Sequence, residues 1–293
     1  MQTVVCDWSP IITINGTVSR NATDTKCSQM ITSMVKNIDE QQVLFMGDST
    51  MHMLYEEARA LQSGELPSSK IIKTYRCHRL KAFGIKPAKV WNKPNPKKEG
   101  PLKYGLSHPG CTDCNGCNSY VVIPKGRPLK QTVLSTSFLS MDYIALDFAR
   151  DVEMQSVLGN TTQETLSRYL QLEHKTYSLC VLNIGLHDQV IRGFTAKDYV
   201  LNVKQLLELF VPVCLHIVWI EMTAPKGNKR YRQRIDKTQD WNIELKSYLD
   251  THPRLNVSMM RVFKKSLQVA HNDNVHLHNS WYKEMARTMF EVV

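Results

Sequence analysis

Short apolar runs alternate with amphipathic helical stretches along most of this chain, and that alternation limits the folds open to it more than any other feature. "QVLFMG" (42–47), "DYIALDFA" (142–149), "YSLCVLNIGLHD" (177–188), "LHIVWIEMTAP" (215–225) and "LNVSMMRVF" (255–263) read as buried strands. Between and around them, residues 28–40, 49–62, 162–175, 196–210, 238–252 and 280–293 carry helical spacing. In the helix over 49–62, Met51, Leu54, Tyr55 and Ala58 fall on one face. Strands separated by helices of ten or more residues predict a mainly parallel sheet covered on both faces, a three-layer α/β/α sandwich. At 293 residues and 42% hydrophobic, the chain can fill such a core. Its most apolar region, 206–220, is broken by Pro212 and His216 and falls short of the ~20 residues a membrane helix requires.

The predicted organisation is an N-terminal leader and helix over 1–41 and one domain over 42–293. An irregular segment at about 64–131, rich in Pro, Gly, Lys and Cys, interrupts that domain. Of the net charge of +10, residues 70–130 hold fourteen Lys/Arg against Glu99 and Asp113, a local +12 that leaves about −2 elsewhere. Such a surface attracts polyanions (nucleic acid, anionic membrane or acidic glycan), of which acidic glycan is the expected partner and nucleic acid is not, and the alternative is a solvated insertion with no specific partner. A second basic run, "KGNKRYRQR" (226–234), follows a predicted strand end and could border a cleft.

Eight cysteines (Cys6, Cys27, Cys77, Cys111, Cys114, Cys117, Cys180, Cys214) accompany four Asn-x-Ser/Thr sequons, at Asn15, Asn21, Asn160 and Asn256. Together they point to the secretory pathway, lumenal or secreted. The sequence starts "MQTVVCDWSP" without a charged-then-apolar signal. The expectation is therefore numbering after a removed signal, or an anchor outside this chain; a cytosolic chain is the alternative. "CTDCNGC" (111–117), with His108 and Cys77 near, could ligate a metal, but disulfides are the favoured fate in a lumenal protein. Cys6–Cys27 is one candidate pairing that sequence does not fix. No cofactor is expected.

In parallel sheets functional residues gather at the carboxyl ends of the strands. Three loops there carry chemistry. Gly47-Asp48-Ser49 follows an apolar strand and opens a helix, where serine could be a nucleophile or the triplet merely a helix cap. Asp273 and His276 are separated by two residues before the last helix, a spacing that lets the carboxylate fold onto the imidazole; His278 competes as the base. Asn183, followed by Gly185, could aim an amide at an oxyanion, or the segment could be a plain strand-ending turn, with His187 and Asp188 near the pocket.

Gly-Asp-Ser near the start, Asn-x-Gly in mid-chain and Asp-x-x-His before a C-terminal helix resemble the SGNH (GDSL-like) hydrolase superfamily over about residues 42–293. The chain looks most similar to its PC-esterase branch, which includes lumenal glycan O-acetyltransferases and the neurexophilin-and-PC-esterase proteins. The resemblance implies a flavodoxin-like SGNH fold, with Ser49 as nucleophile, His276 as general base and Asp273 as its orienter. It further implies an oxyanion hole from the Ser49 N–H and Asn183, with Gly47, Asp48, Gly185 and His187 around the pocket. One departure concerns the glycine that the superfamily places between its Ser and Asn blocks. Gly84, Gly105 and Gly110 are the candidates, and none follows a clear strand. The expected function is acyl-ester hydrolysis or O-acyl transfer, with acetyl groups on a glycan as the substrate. The alternatives are a non-enzymatic SGNH-frame binding protein that uses the basic surface, and a cytosolic nucleic-acid or metal-binding protein.

Overall fold

A computed structural model describes residues 4–19, 25–35, 41–63, 139–145, 176–186, 188–190, 194–226 and 232–290. Among the described residues the strands are β1 (Val5–Asp7), β2 (Ile11–Ile12), β3 (Val18–Ser19), β4 (Gln41–Gly47), β5 (Leu139–Ala145), β6 (Leu179–Asn183), β7 (Ile217–Ile220) and β8 (Val257–Arg261). The helices are α1 (Thr25–Val35), α2 (Ser49–Ser63), α3 (Ala196–Phe210), α4 (Arg232–Thr251), the single turn α5 (Phe263–Ser266) and α6 (Asn279–Phe290). Six strands form one sheet in the order β1-β8-β7-β6-β4-β5, and every neighbouring pair is parallel. β2 and β3 make a separate antiparallel hairpin.

The layers follow from the period-2 alternation of side chains along each strand. Val43 and Phe45 of β4, Val181 of β6, Val218 of β7 and Met260 of β8 pack with the buried sides of α1, α2 and α6. Leu44 and Met46, Cys180 and Leu182, Trp219, and Met259 point the other way, onto α3 and α4. The runs are apolar at every position because both sheet faces are covered, as expected of parallel strands. The three-layer α/β/α architecture predicted from the sequence is the one observed.

Local signals explain individual elements. α3 spans the predicted 196–210 because Thr195 and Asp198 form a capping box. The Thr195 N–H donates to the Asp198 carboxylate at 2.8 Å, and the Asp198 N–H donates to the Thr195 hydroxyl at 3.2 Å. The hydroxyl and backbone hydrogen bonds from Thr195 hold the Asp198 pKa below its usual value. A disulfide joins Cys180 on β6 to Cys214 ahead of β7, 34 residues apart, with a Cα–Cα distance of 5.9 Å. Closing a loop of that length removes about 3–4 kcal/mol of unfolded-chain entropy in the loop-closure account.

Several elements differ from expectation. The leader contributes β1 to the sheet, which the sequence does not reveal because a three-residue strand with one buried side chain has no readable period. It pairs with β8 from Val5↔Met259 to Asp7↔Arg261. A Cys6–Cys27 disulfide ties it to α1. The strand placed at 142–149 occupies 139–145, in register with Gln41–Gly47 of β4. α4 begins at Arg232 rather than 238, since the end of the basic run is helical. The predicted helix at 162–175, the segment at 64–131 with its basic surface, and Cys77, Cys111, Cys114 and Cys117 lie outside the described residues. No helix among the described residues is long and apolar enough to cross a membrane.

Candidate active site

β4 delivers Gly47 to the carboxyl edge of the sheet directly beside Asn183 of β6. The two backbones approach so closely that a Cβ on Gly47 would lie 2.0 Å from the Asn183 carbonyl oxygen. Only glycine fits there. The chain then turns into α2 through Asp48, which is fully buried. Its Oδ1 accepts the Thr50 N–H at 2.8 Å and the Thr50 hydroxyl at 2.7 Å. Asp48 is therefore the helix cap, and the hydroxyl of Ser49 is released from capping to face outward.

The second component is the loop 270–278 between α5 and α6, which doubles back on itself. His278 N–H donates to Ala270 O at 2.7 Å and Asn272 N–H to His276 O at 2.9 Å, around a His271↔Leu277 bridge. At its tip Asp273 Oδ1 accepts the N–H groups of Val275 (2.7 Å) and His276 (2.8 Å). Asp273 Oδ2 lies 2.6 Å from His276 Nδ1, and His276 Nε2 lies 2.7 Å from Ser49 Oγ. Partial burial raises the Asp273 pKa, but the hydrogen bonds from His276 and Val275 and the charge of His276 outweigh it and leave the carboxyl below its ordinary value. A carboxylate held ionised against Nδ1 favours the tautomer in which Nε2 can accept a proton from the serine. The chemistry open to this series is activation of a hydroxyl as a nucleophile.

The sequence left His276 and His278 competing for the imidazole position. His278 turns instead to its own helix, with Nδ1 2.8 Å from Ser280 Oγ.

Asn183 is anchored on both sides of its amide. Its Nδ2 donates to the Ile220 carbonyl of β7 at 2.8 Å, and its Oδ1 lies 3.3 Å from the Thr50 hydroxyl. Because Ile220 O is an acceptor only, the amide must turn its nitrogen to β7 and present its oxygen to the helix bearing Ser49. Asn183 thus ties α2, β6 and β7 together, and its amide carries a second N–H beyond the one given to Ile220 O.

Gly185 (φ +124°) makes the turn after β6, where a Cβ would meet Tyr199 and Met222 at 2.6 Å. The Tyr199 hydroxyl donates to Ile184 O at 3.0 Å, and burial, with the charges of Asp188 and Asp48, raises its pKa. Arg234 and Lys237 of α4 hold the same loop by donating to Leu186 O (2.8 Å) and Gln189 O (3.1 Å). These two clamps were missed in the sequence, where Arg234 read only as part of a charge run. Asp188, expected near the pocket, is fully buried. His187, Gly84, Gly105 and Gly110 lie outside the described residues.

No protein-family model matches the chain, and no curated protein matches it. Among solved structures the chain is similar to a member of the lipolytic protein G-D-S-L family from Veillonella parvula DSM 2008. The two are 12% identical, with 86% of this chain and 97% of that one covered and a TM-score of 0.42. It is also similar to a carbohydrate esterase family 3 protein from Talaromyces cellulolyticus (9% identical; 85% and 94% covered; TM-score 0.44). The acetyl xylan esterase AlAXEase is 13% identical, with 86% and 99% covered and a TM-score of 0.44.

Proposed function

We propose that this chain is a serine-dependent acyl-ester hydrolase or O-acyltransferase of the SGNH superfamily, in its PC-esterase branch, working through an acyl-Ser49 intermediate. The unbroken series Ser49 Oγ–His276 Nε2 (2.7 Å) and His276 Nδ1–Asp273 Oδ2 (2.6 Å) carries the reading. It joins residues 227 positions apart in the chain. His276 takes the hydroxyl proton as Ser49 attacks the ester carbonyl, then returns it to the departing alcohol. Water or a sugar hydroxyl, deprotonated in turn by His276, releases the acyl group and restores Ser49. The N–H of Ser49, the first residue of α2, has no intrahelical acceptor and supplies one oxyanion donor at the positive end of the helix. The substrate class is an O-acetylated glycan, and the +12 segment at 70–130 would attract an acidic one. Lumenal or secreted location is supported by the Cys6–Cys27 and Cys180–Cys214 disulfides.

A fluorophosphonate probe and a small acetyl ester test the reading on wild type, Ser49→Ala and His276→Ala. Wild type is expected to label and turn over while both variants do neither. A wild type that is folded yet inert to both reagents would overturn the enzyme reading and leave an SGNH-frame binding protein.

A further inference from the structure

The N-terminal turn Thr13–Thr17 packs against the loop that carries His276 and Asp273. The Ala270 N–H, at the base of that loop, donates to Gly16 O at 3.0 Å. One strand further on, the Val18 N–H donates to Ser280 Oγ at 3.2 Å, the same hydroxyl that meets His278 Nδ1. Gly16 is buried while its neighbour Ile14 is wholly exposed, so the turn presents glycine inward. Its φ is +74°, and a Cβ there would lie 2.8 Å from the Ala270 nitrogen.

The turn is itself rigid. Gly16 N–H donates to Thr13 O (2.8 Å) and Thr13 N–H to Thr17 O (2.9 Å). The Thr13 hydroxyl bonds both Asn15 Oδ1 and the Thr17 hydroxyl. Behind it Trp8 is buried edge-on against Trp281 (centroids 4.5 Å apart) and donates Nε1–H to Thr288 Oγ1 at 3.0 Å. β1 is hydrogen-bonded to β8 and Cys6 is linked to Cys27, which ties this segment to the sheet and to α1.

From these contacts we infer that the Thr13–Thr17 turn, through Gly16, is a positioning element for the His276–Asp273 pair. The inference rests on the reading of those two residues as base and orienter. Transmission needs no soft joint, because Ala270 connects to His276 through the two cross-loop hydrogen bonds of His278 and Asn272. A displacement at Ala270 therefore moves the imidazole against Ser49, whose 2.7 Å contact tolerates little change.

The test compares wild type with Gly16→Ala and with Thr13→Val, which removes the hydroxyl from the turn but leaves its backbone. The control is Leu249→Ala, a core truncation in α4 on the opposite face of the sheet. Two readouts are taken on folded protein: acetyl-ester kinetics, and the low-field proton signal of His276 Nδ1–H on Asp273. The expected result for Gly16→Ala is a kcat lower by about tenfold to a hundredfold with KM within about twofold, the penalty of a sub-ångström to 1 Å misplacement. Its low-field signal should be broadened or lost. Thr13→Val should show the same pattern with a smaller fall, and it stands in for Gly16→Ala should that variant not fold. Leu249→Ala, although less stable, should keep both kcat and the signal. Retention of kcat and signal in the turn variants, or an equal fall in Leu249→Ala, overturns the proposal. Should wild type show no turnover at all, the enzyme reading falls, and the low-field signal alone still decides whether the turn positions the pair.

Discussion

Replacing Asp273 by Asn tests the site through its hydrogen bonds rather than its charge alone. Asp273 Oδ1 is fixed by two donors, the N–H groups of Val275 and His276 at 2.7 and 2.8 Å. In Asp273→Asn those donors still require an acceptor, so the amide oxygen takes that place and the NH2 group is forced toward His276 Nδ1. A nitrogen facing an N–H donor selects the imidazole tautomer protonated at Nε2. That nitrogen would then donate to Ser49 Oγ instead of accepting its proton, and the base is lost without any atom moving far. A wrong-tautomer lesion of this kind lowers kcat by about 10⁴, equivalent to about 5 kcal/mol of transition-state stabilisation. The Asp273 side chain is half exposed, at 52%, so the native fold should lose little. The second-order rate of fluorophosphonate labelling, read beside a thermal melt, measures both. A variant labelling within tenfold of wild type would refute the tautomer argument and with it the role given to Asp273.

Asn183→Ala should leave the buried Ile220 carbonyl without its donor. A stability loss of about 1–3 kcal/mol is expected, seen in denaturant unfolding, and a kcat fall of roughly 10²–10³-fold beside it would assign the second N–H of the amide to the oxyanion, whereas a smaller fall would make the residue structural only. The lowered pKa of Asp273 fixes the sign of its pH effect. A depressed carboxyl stabilises the native state above its unfolded pKa and loses that contribution as pH falls through the lower folded value, so the acid unfolding curve of Asp273→Asn should be shallower than that of wild type in this range. Asn15 and Asn256 are both exposed, and Asn256 holds the left-handed conformation (φ 52°) at the entry to β8. In a secretory host each should carry a glycan, removed in mass by amidase digestion and absent singly from Asn15→Gln and Asn256→Gln.

What could be read from the sequence was whatever local chemistry determines. Gly47-Asp48-Ser49 announced a strand-to-helix turn because an apolar run precedes it and helical spacing follows. The turn proved to divide its duties, with Asp48 capping and Ser49 free, a division that residue types alone leave open. Asp273 and His276 were legible because their contact is intramolecular over three residues. For Asn183 the sequence gives the amide but not which end of it faces α2; that is decided by Ile220 O on a strand 37 residues away. β1 and the Gly16 contact were invisible for the same reason. Their partners, Met259 to Arg261 and Ala270, lie some 250 positions along the chain, and no local period encodes them.

The wide separation between Ser49 and His276 has a consequence for biosynthesis. Ribosomes add about 5–20 residues per second, so the 227 residues between them take on the order of ten to several tens of seconds to emerge. Throughout that interval the nascent chain carries its serine with no base to activate it. Cys6 and Cys27, by contrast, have both appeared long before the loop that their segment abuts. On the proposed mechanism, reactivity toward esters waits for the loop that carries His276 to emerge and fold.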